Sequence, residues 1–129
     1  MQKDLQTMFT KSSFSISTEL YFYCQALSYP SDPKKHFLVT DDGEEITVVT
    51  KKIVGFEVKE KNPNNWLLVS LNLQTPFMKG TLFNVSKAIY ESDSNILIVS
   101  TYSKDLLLIK EQDKEKVKEA LINLGFSYK

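Results

Sequence analysis

The sequence contains no arginine, one cysteine and one histidine, and its 16 basic residues, all lysines, are matched by 16 acidic residues. A protein that binds nucleic acid needs clustered basic side chains facing the phosphates, so a net charge of zero disfavours this class. The absence of arginine further weakens bidentate recognition of phosphate or carboxylate. The single cysteine, Cys24, excludes an internal disulfide and a structural zinc site of four cysteines. Nucleic acid is therefore not an expected partner.

Long apolar runs are also missing. No stretch approaches the roughly 18 apolar residues that a membrane-spanning helix needs. The first residues, MQKDLQTMFTKSS, lack the uninterrupted apolar core of a secretory signal. We therefore predict a cytoplasmic protein that does not cross a membrane. Its 129 residues suffice for one compact domain or two very small ones.

Candidate catalytic residues are scarce. His36 and Cys24 alone cannot form a catalytic triad or a histidine-containing metal cluster within one chain. Cys24 lies among aromatic residues, as expected of a small core residue. The four carboxylates of residues 41–45 (DDGEE) surround an Asp-Gly pair typical of a hairpin turn, whereas a calcium loop needs a longer run of ligands. We expect no enzyme activity, no metal and no cofactor.

The second half of the chain shows clear periodicity. Residues 66–73 (WLLVSLNL) carry apolar side chains at every second position, which predicts a strand. Pro76 and Gly80 then mark a turn. After this turn, apolar residues recur at helical spacing. The residues of this stripe are Met78, Leu82, Val85 and Ile89.

Two short apolar runs follow, and they predict a pair of strands. Residues 95–101 and 106–110 are separated by a segment of hairpin-loop length. A last helix is expected after them, with Asp113 as its N-cap and Gly125 at its C-terminal end. The order strand-helix-strand-strand-helix indicates a ferredoxin-like unit that still lacks one strand.

The first half of the chain predicts strands and hardly any helix. Residues 1–18 show no clear period, although Phe14 and Ile16 could begin a strand. The turn-rich segment 61–65 (KNPNN) is the expected boundary between the two halves. Aromatic and β-branched residues favour strands at four places. These are residues 20–27, 37–40, 46–50 and 53–60.

Two stretches of the second half resemble a known family. Residues 96–121 (ILIVSTYSKDLLLIKEQDKEKVKEAL) are similar to the strand, "STY" turn, strand and terminal helix of small tandem ACT-like domain proteins. These proteins are related to the regulatory domains of aspartokinases and to cytosolic amino-acid sensors. Residues 77–89 (FMKGTLFNVSKAI) resemble the ligand loop and first helix of the family, with Gly80 and Leu82 at the matching positions.

The resemblance also has departures around the triplet, which corresponds to residues 100–102 (STY). In the family an acidic residue, a threonine and a second acidic residue usually follow. Here Ser103 and Lys104 replace the first two, and Asp105 keeps the third position.

The resemblance implies an α+β protein of two ferredoxin-like units in tandem with antiparallel sheets. The first unit, residues 1–60, would be degenerate in its helices, and the second would span residues 61–129. The resemblance also implies a regulatory protein without catalysis that binds a small ligand, expected to be an amino acid, and forms a homodimer. The alternative is a protein–protein adaptor that associates through its sheets without a ligand. An RNA-binding sheet, suggested by aromatics at residues 21–23, is disfavoured by the charge balance.

The loop before the first predicted helix of the second half offers a physical basis for ligand binding. A helix N-terminus near Gly80 would present unpaired N–H groups and a positive dipole end to a carboxylate, and glycine allows close approach of the backbone. The same residues equally suit a plain strand-to-helix connection, and the triplet equally suits a plain hairpin turn. The predicted ligand-binding residues are Gln74, Thr75, Met78, Lys79, Gly80, Thr81, Leu82, Ser100 and Thr101.

Overall fold

The computed structural model describes residues 1–129 and contains three helices and nine strands. In chain order these are α1 (Lys3–Thr10), β1 (Ser13–Ile16), β2 (Phe22–Ala26), β3 (Leu38–Asp41), β4 (Ile46–Thr50), β5 (Val58–Lys61), β6 (Trp66–Asn72), α2 (Thr81–Glu91), β7 (Ile96–Ser100), β8 (Asp105–Lys110), α3 (Lys114–Leu124) and β9 (Ser127–Tyr128).

The chain divides into two compact units, and one is continuous in sequence while the other is not. We call Met1–Ser17 together with Leu67–Lys129 the split unit, and Thr18–Trp66 the inserted unit. The sequence-based division at residue 60 differs from this one, because it grouped residues 1–17 with the first half. In the structure these residues lie with the C-terminal half, since β1 pairs with β6 along residues 69–72.

The split unit contains the predicted βαββαβ order as β6-α2-β7-β8-α3-β9. Its sheet has the strand order β7-β8-β6-β1-β9. The N-terminal strand β1 is antiparallel to β6 and parallel to β9, so it lies between the first and last strands of the unit. Helix α3 lies against both α2 and α1. The missing strand of the predicted unit is thus β9, with β1 added beside it.

Residues 1–18, expected to have no regular structure at their start, form α1 and β1. The α1 residues Leu5, Met8 and Phe9 are spaced i, i+3, i+4, and all three are buried. The Phe9 ring packs on Phe126 with centroids 5.1 Å apart, and Phe14 of β1 meets the same Phe126 ring edge-on. A helix of eight residues has too short a stripe to be recognised from periodicity alone.

The core of the split unit matches part of the stripe predicted for α2, in which Leu82 is only partly buried, and α3 also buries one face. Val85 and Ile89 of α2 are fully buried, as are Val117 and Leu121 of α3. Met78 precedes α2 rather than lying in it, because the left-handed Gly80 (φ 92°) occupies the N-cap. Every residue of β8 from Asp105 to Ile109 is buried, so this strand is covered on both of its faces.

The inserted unit has the strand order that the split unit would have without β1, and it contains no α-helix. Its sheet runs β3-β4-β2-β5, and all its pairs are antiparallel. In the split unit β6 neighbours β8, and β7 lies outside β8. In the inserted unit β2 neighbours β4, and β3 lies outside β4 in the same way. A single 3₁₀ turn, Pro33–Lys35, follows β2 in place of the first helix. The prediction of a first unit degenerate in helices is confirmed.

One predicted strand of the inserted unit is shorter than expected. Residues 53–57 form a loop, and β5 begins only at Val58. Gly55 in this loop has φ 74°, and its carbonyl accepts a hydrogen bond of 2.9 Å from the Ser31 N–H, which bends the chain away from the sheet. The protein is therefore α+β, with two antiparallel-dominated sheets of ferredoxin-like order. None of its helices has the length and apolar character needed to cross a membrane.

Candidate functional site

A cavity of about 240 Å³ lies where the loop after β6 meets the turn between β7 and β8. At about 30 Å³ per water molecule, this volume matches roughly eight waters and suits a small metabolite. The predicted loop and the predicted hairpin are thus brought together in the split unit. The cavity is lined by Leu71, Asn72, Leu73, Pro76, Phe77, Ser103, Lys104 and Asp105.

Asp105 is the most informative residue of this cavity. It is only 7% exposed, and its Oδ1 accepts a hydrogen bond of 2.7 Å from the Ser100 hydroxyl. The two ion pairs of the chain, Lys51–Glu19 and Lys116–Asp113, leave it without a basic partner. A buried carboxylate is costly unless a cation or several donors compensate it. The cavity lining therefore contains one acidic residue, Asp105, and one basic residue, Lys104, which form no ion pair with each other.

Phe77 forms the aromatic part of the cavity wall in an unusual backbone conformation. Its φ of 61° lies in the left-handed region, which costs a non-glycine residue roughly 1–3 kcal/mol. Its side chain is nevertheless 70% exposed, so burial of the ring does not compensate this cost. Pro76 immediately before it restricts the same turn. The centre of the loop therefore combines a left-handed, exposed Phe77 with a proline beside the cavity.

The predicted residues at the two ends of the loop lie outside the lining of the cavity. The Gln74 N–H donates to the Ser12 hydroxyl at 2.9 Å, and the Thr75 hydroxyl donates to Gln74 Oε1. Lys79 is exposed and Met78 is partly exposed. These four residues flank the cavity in sequence, while the residues between them, Pro76 and Phe77, form its wall.

The start of α2 provides fewer free amides than predicted. The Thr81 N–H and the Thr81 hydroxyl both donate to the Met78 carbonyl, at 3.2 and 2.8 Å. The Gly80 carbonyl accepts from the Asn84 amide side chain at 2.7 Å and from the Asn84 N–H. No hydrogen bond occupies the amides of Gly80 and Leu82. The amides of Gly80 and Leu82 are thus free, that of Thr81 is used, and all three residues lie outside the lining of the cavity.

The two predicted residues of the hairpin have different roles. Ser100 lies outside the cavity lining, and its hydroxyl donates a hydrogen bond to Asp105, which is part of that lining. The Thr101 N–H donates to the Lys104 carbonyl at 2.9 Å and closes the turn, as the alternative reading proposed. Sequence reasoning left Asp105 out of the site, although it is the one acidic residue retained after the triplet. Neither sequence nor periodicity shows that its carboxylate is buried.

The other candidate residues have structural roles. Cys24 is 1% exposed, and its burial raises the pKa of the thiol, which suits a core residue. His36 Nδ1 lies 2.8 Å from the Thr50 hydroxyl, and the His36 ring packs edge-on to Phe56. No group of three or more His, Cys, Asp or Glu side chains is arranged to hold a metal ion. A larger groove of about 470 Å³ between α2 and α3 contains no predicted site residue.

In residues 41–45, backbone N–H groups donate hydrogen bonds to the carboxylates of Asp41 and Asp42. Asp42 Oδ1 accepts from the N–H groups of Glu44 and Glu45, both at 2.9 Å, and Asp41 Oδ1 accepts from the Gly43 N–H. The backbone donors of Glu45 and Glu44 hold the pKa of Asp42 below its usual value. The segment is a hairpin turn with internal hydrogen bonds.

Comparisons with known proteins identify a family resemblance and a shared fold. Residues 62–123 match the family model of the ACT domain. The segment includes β6, α2, β7 and β8 and reaches almost to the end of α3, so it contains the whole cavity. The predicted resemblance is confirmed for this segment. A comparison with curated proteins gave no match.

Solved structures share the fold over nearly the whole chain. A protein of unknown function from Vibrio cholerae, described as a possible transport protein, has a TM-score of 0.80 at 16% identity, covering 95% of this chain and 97% of its own. A protein from Agrobacterium tumefaciens has a TM-score of 0.71 at 22% identity, covering 92% of both chains. The ligand-free regulatory subunit of aspartate kinase from Thermus thermophilus has a TM-score of 0.61 at 11% identity, covering 87% and 95%. At these identities the likeness shows the fold alone.

Proposed function

We propose that this chain, whose residues 62–123 form an ACT-like domain, is a non-catalytic regulatory protein that senses an amino acid. The observation that carries this proposal is the buried Asp105, which is among the residues that line the cavity and forms no ion pair. Such a group attracts an ammonium group, which every free amino acid carries. The regulatory subunit of an aspartate kinase among the similar structures supports a regulatory role by analogy. A cytoplasmic location stays a prediction.

The two charges of an amino acid would have separate partners. Asp105 would hold the ammonium group, and Ser100 would keep the carboxylate of Asp105 oriented through their hydrogen bond. The free amides of Gly80 and Leu82, which lie outside the cavity lining at the start of α2, would hold the ligand carboxylate, and the positive end of the α2 dipole would add to the attraction. Phe77 would cover the apolar part of the ligand. The other predicted loop residues would surround the bound amino acid. These are Gln74, Thr75, Met78 and Lys79.

The test is a thermal-shift screen against the twenty amino acids, using the wild-type protein and Asp105→Asn. A ligand that binds only the native state stabilises it by about 2.7 kcal/mol at 100 times its Kd. Asparagine keeps the acceptor for the Ser100 hydroxyl but removes the charge, so we expect a folded variant whose affinity falls at least about tenfold. The matched control is Asp93→Asn, because Asp93 is exposed and its positive φ suits asparagine.

The outcomes separate the proposals. A shift with wild type and Asp93→Asn that is lost in Asp105→Asn supports the assignment of Asp105. An equal shift in all three proteins contradicts the role of Asp105 while keeping amino-acid sensing. A flat response of the wild type to all twenty amino acids contradicts sensing itself.

A second candidate function is favoured by one edge of the sheet in the split unit. The edge strand β7 has the sequence ILIVS without a charge or proline, and Ile98 is 42% exposed. Natural sheets usually protect such edges with charges, prolines or bulges. We infer that β7 is an association edge, either between two copies in a homodimer or, in an adaptor without ligand, with another protein. A flat amino-acid panel with a stable partner on β7 would favour the adaptor.

A further inference from the structure

The loop Gln74–Gly80 is held at both ends by residues of the N-terminal segment Met1–Ser17. At its start, the Gln74 N–H donates to Ser12 Oγ at 2.9 Å. At its end, Leu5 Cδ2 lies 3.4 Å from the position that a Cβ on Gly80 would occupy. The exposed residues Thr75, Pro76 and Phe77 lie between these two contacts.

Ser12 joins three parts of the split unit. It is 2% exposed, and its hydroxyl donates to the Met8 carbonyl of α1 at 2.7 Å. A hydroxyl has one proton, so the same oxygen is free to accept the Gln74 N–H. The Ser12 carbonyl accepts from the Ser127 N–H of β9 at 3.0 Å. The start of the loop is therefore connected to α1 through the Ser12 hydroxyl and to β9 through the Ser12 carbonyl.

Leu5 lies beside the other end of the loop. It is 3% exposed in α1, and its Cδ2 would stand 3.4 Å from a Cβ at Gly80, the separation of an ordinary van der Waals contact. Gly80 also needs its positive φ of 92° to begin α2. The start of α2 thus lies next to α1.

We propose that the N-terminal segment sets the shape of the ligand loop, with Ser12 as a positioning residue for the loop. This inference rests on the proposed function, and it adds that ligand affinity is controlled by residues outside the matched segment 62–123. A displacement of α1 would change the shape of the loop, although α1 itself does not contact the ligand. In the reverse direction, a ligand that orders the loop stabilises the docking of α1, since coupling between two sites is reciprocal.

The experiment compares amide hydrogen exchange in wild type, Ser12→Ala and the control Ser15→Ala, all in the full chain. Ser15 is partly buried in β1 of the same segment, and its side chain makes no hydrogen bond. In wild type, the Gln74 amide should exchange more slowly than the Thr75 amide, which has no partner. Ser12→Ala should speed exchange at Gln74 about tenfold, which corresponds to about 1.4 kcal/mol and fits the loss of one hydrogen bond.

Reference amides separate a local effect from general destabilisation. Exchange at Leu107 in β8 and Val48 in β4 should change less than twofold, and Ser15→Ala should leave Gln74 unchanged. Equal acceleration at Gln74, Leu107 and Val48 would overturn the positioning role. So would a wild-type Gln74 amide as fast as that of Thr75, a result that requires no variant.

Ligand binding is then measured with the amino acid that stabilises the wild type. We expect Ser12→Ala to weaken its binding at least about threefold, while Ser15→Ala does not. Unchanged affinity together with faster Gln74 exchange would overturn the control of affinity by Ser12. If no amino acid binds the wild type, the proposed function fails, and the exchange data still decide whether Ser12 positions the loop.

Discussion

At the residue scale, the local donors around each carboxylate decide what it contributes. Asp42 is exposed, and two backbone N–H groups stabilise its charged form. Asp105 is buried, and one hydroxyl contacts it in a cavity. The same side-chain chemistry therefore gives a turn-forming residue in one place and a candidate ligand-binding residue in the other. Sequence motifs identified both aspartates, but only their surroundings separate the two roles.

The lowered pKa of Asp42 leads to a testable prediction about the pH at which its carboxylate is protonated. Its pKa is lowered in the folded protein, so its contribution to stability is present above the unfolded pKa and is lost as pH falls through the folded pKa. We expect the amide protons of Glu44 and Glu45 to shift in an NMR titration with a midpoint below 3.8, the ordinary value. A midpoint at or above 3.8 would show that the two hydrogen bonds do not favour the charged carboxylate.

At the scale of elements, α1 shows how a short helix can be integral to a unit. Its three buried residues pack into the split unit, and Phe9 contacts Phe126 next to β9. Gly125 is needed at the same place, because a Cβ there would come within 3.3 Å of Phe9 Cβ and of the Thr10 backbone nitrogen. Helix α1, β1 and the end of the chain therefore stabilise one another.

Removing the Phe9 ring tests this role of α1. Phe9 is fully buried, so Phe9→Ala should lower the free energy of unfolding by about 3–5 kcal/mol. The control Gln6→Ala changes an exposed position of the same helix and should alter it by less than about 0.5 kcal/mol. Chemical denaturation measures the free energy of unfolding of both variants. A loss below about 1 kcal/mol for Phe9→Ala would indicate that α1 is dispensable for the split unit.

At the scale of the whole molecule, association depends on which strand edges remain unpaired. The sheet of the split unit ends at β7 on one side and at the two-residue β9 on the other. Only β7 offers five uncharged residues with free backbone groups along one edge. The predicted homodimer therefore has one preferred edge in this unit.

Ile98→Lys tests association through β7. A charge on this strand disfavours pairing of two apolar edges, so we expect the variant to sediment as a monomer of 14.8 kDa where the wild type forms a dimer. Ile122→Lys makes the same change at an exposed isoleucine of α3 and should leave the dimer intact. Dissociation of the dimer by Ile122→Lys but not by Ile98→Lys would place the interface on the helices.

The sequence by itself determined the local elements of residues 66–124, because their apolar periods of two and 3.6 residues report directly which faces are buried. It also determined the hairpin of residues 38–50 through the Asp-Gly turn. Only the tertiary structure decided that residues 1–17 belong with the C-terminal half, since the pairing of β1 with β6 joins residues far apart in the chain. It also decided that Asp105 is buried beside the loop and that the Thr81 amide is already used. Burial and hydrogen-bond partners depend on packing between distant segments, which no local pattern records.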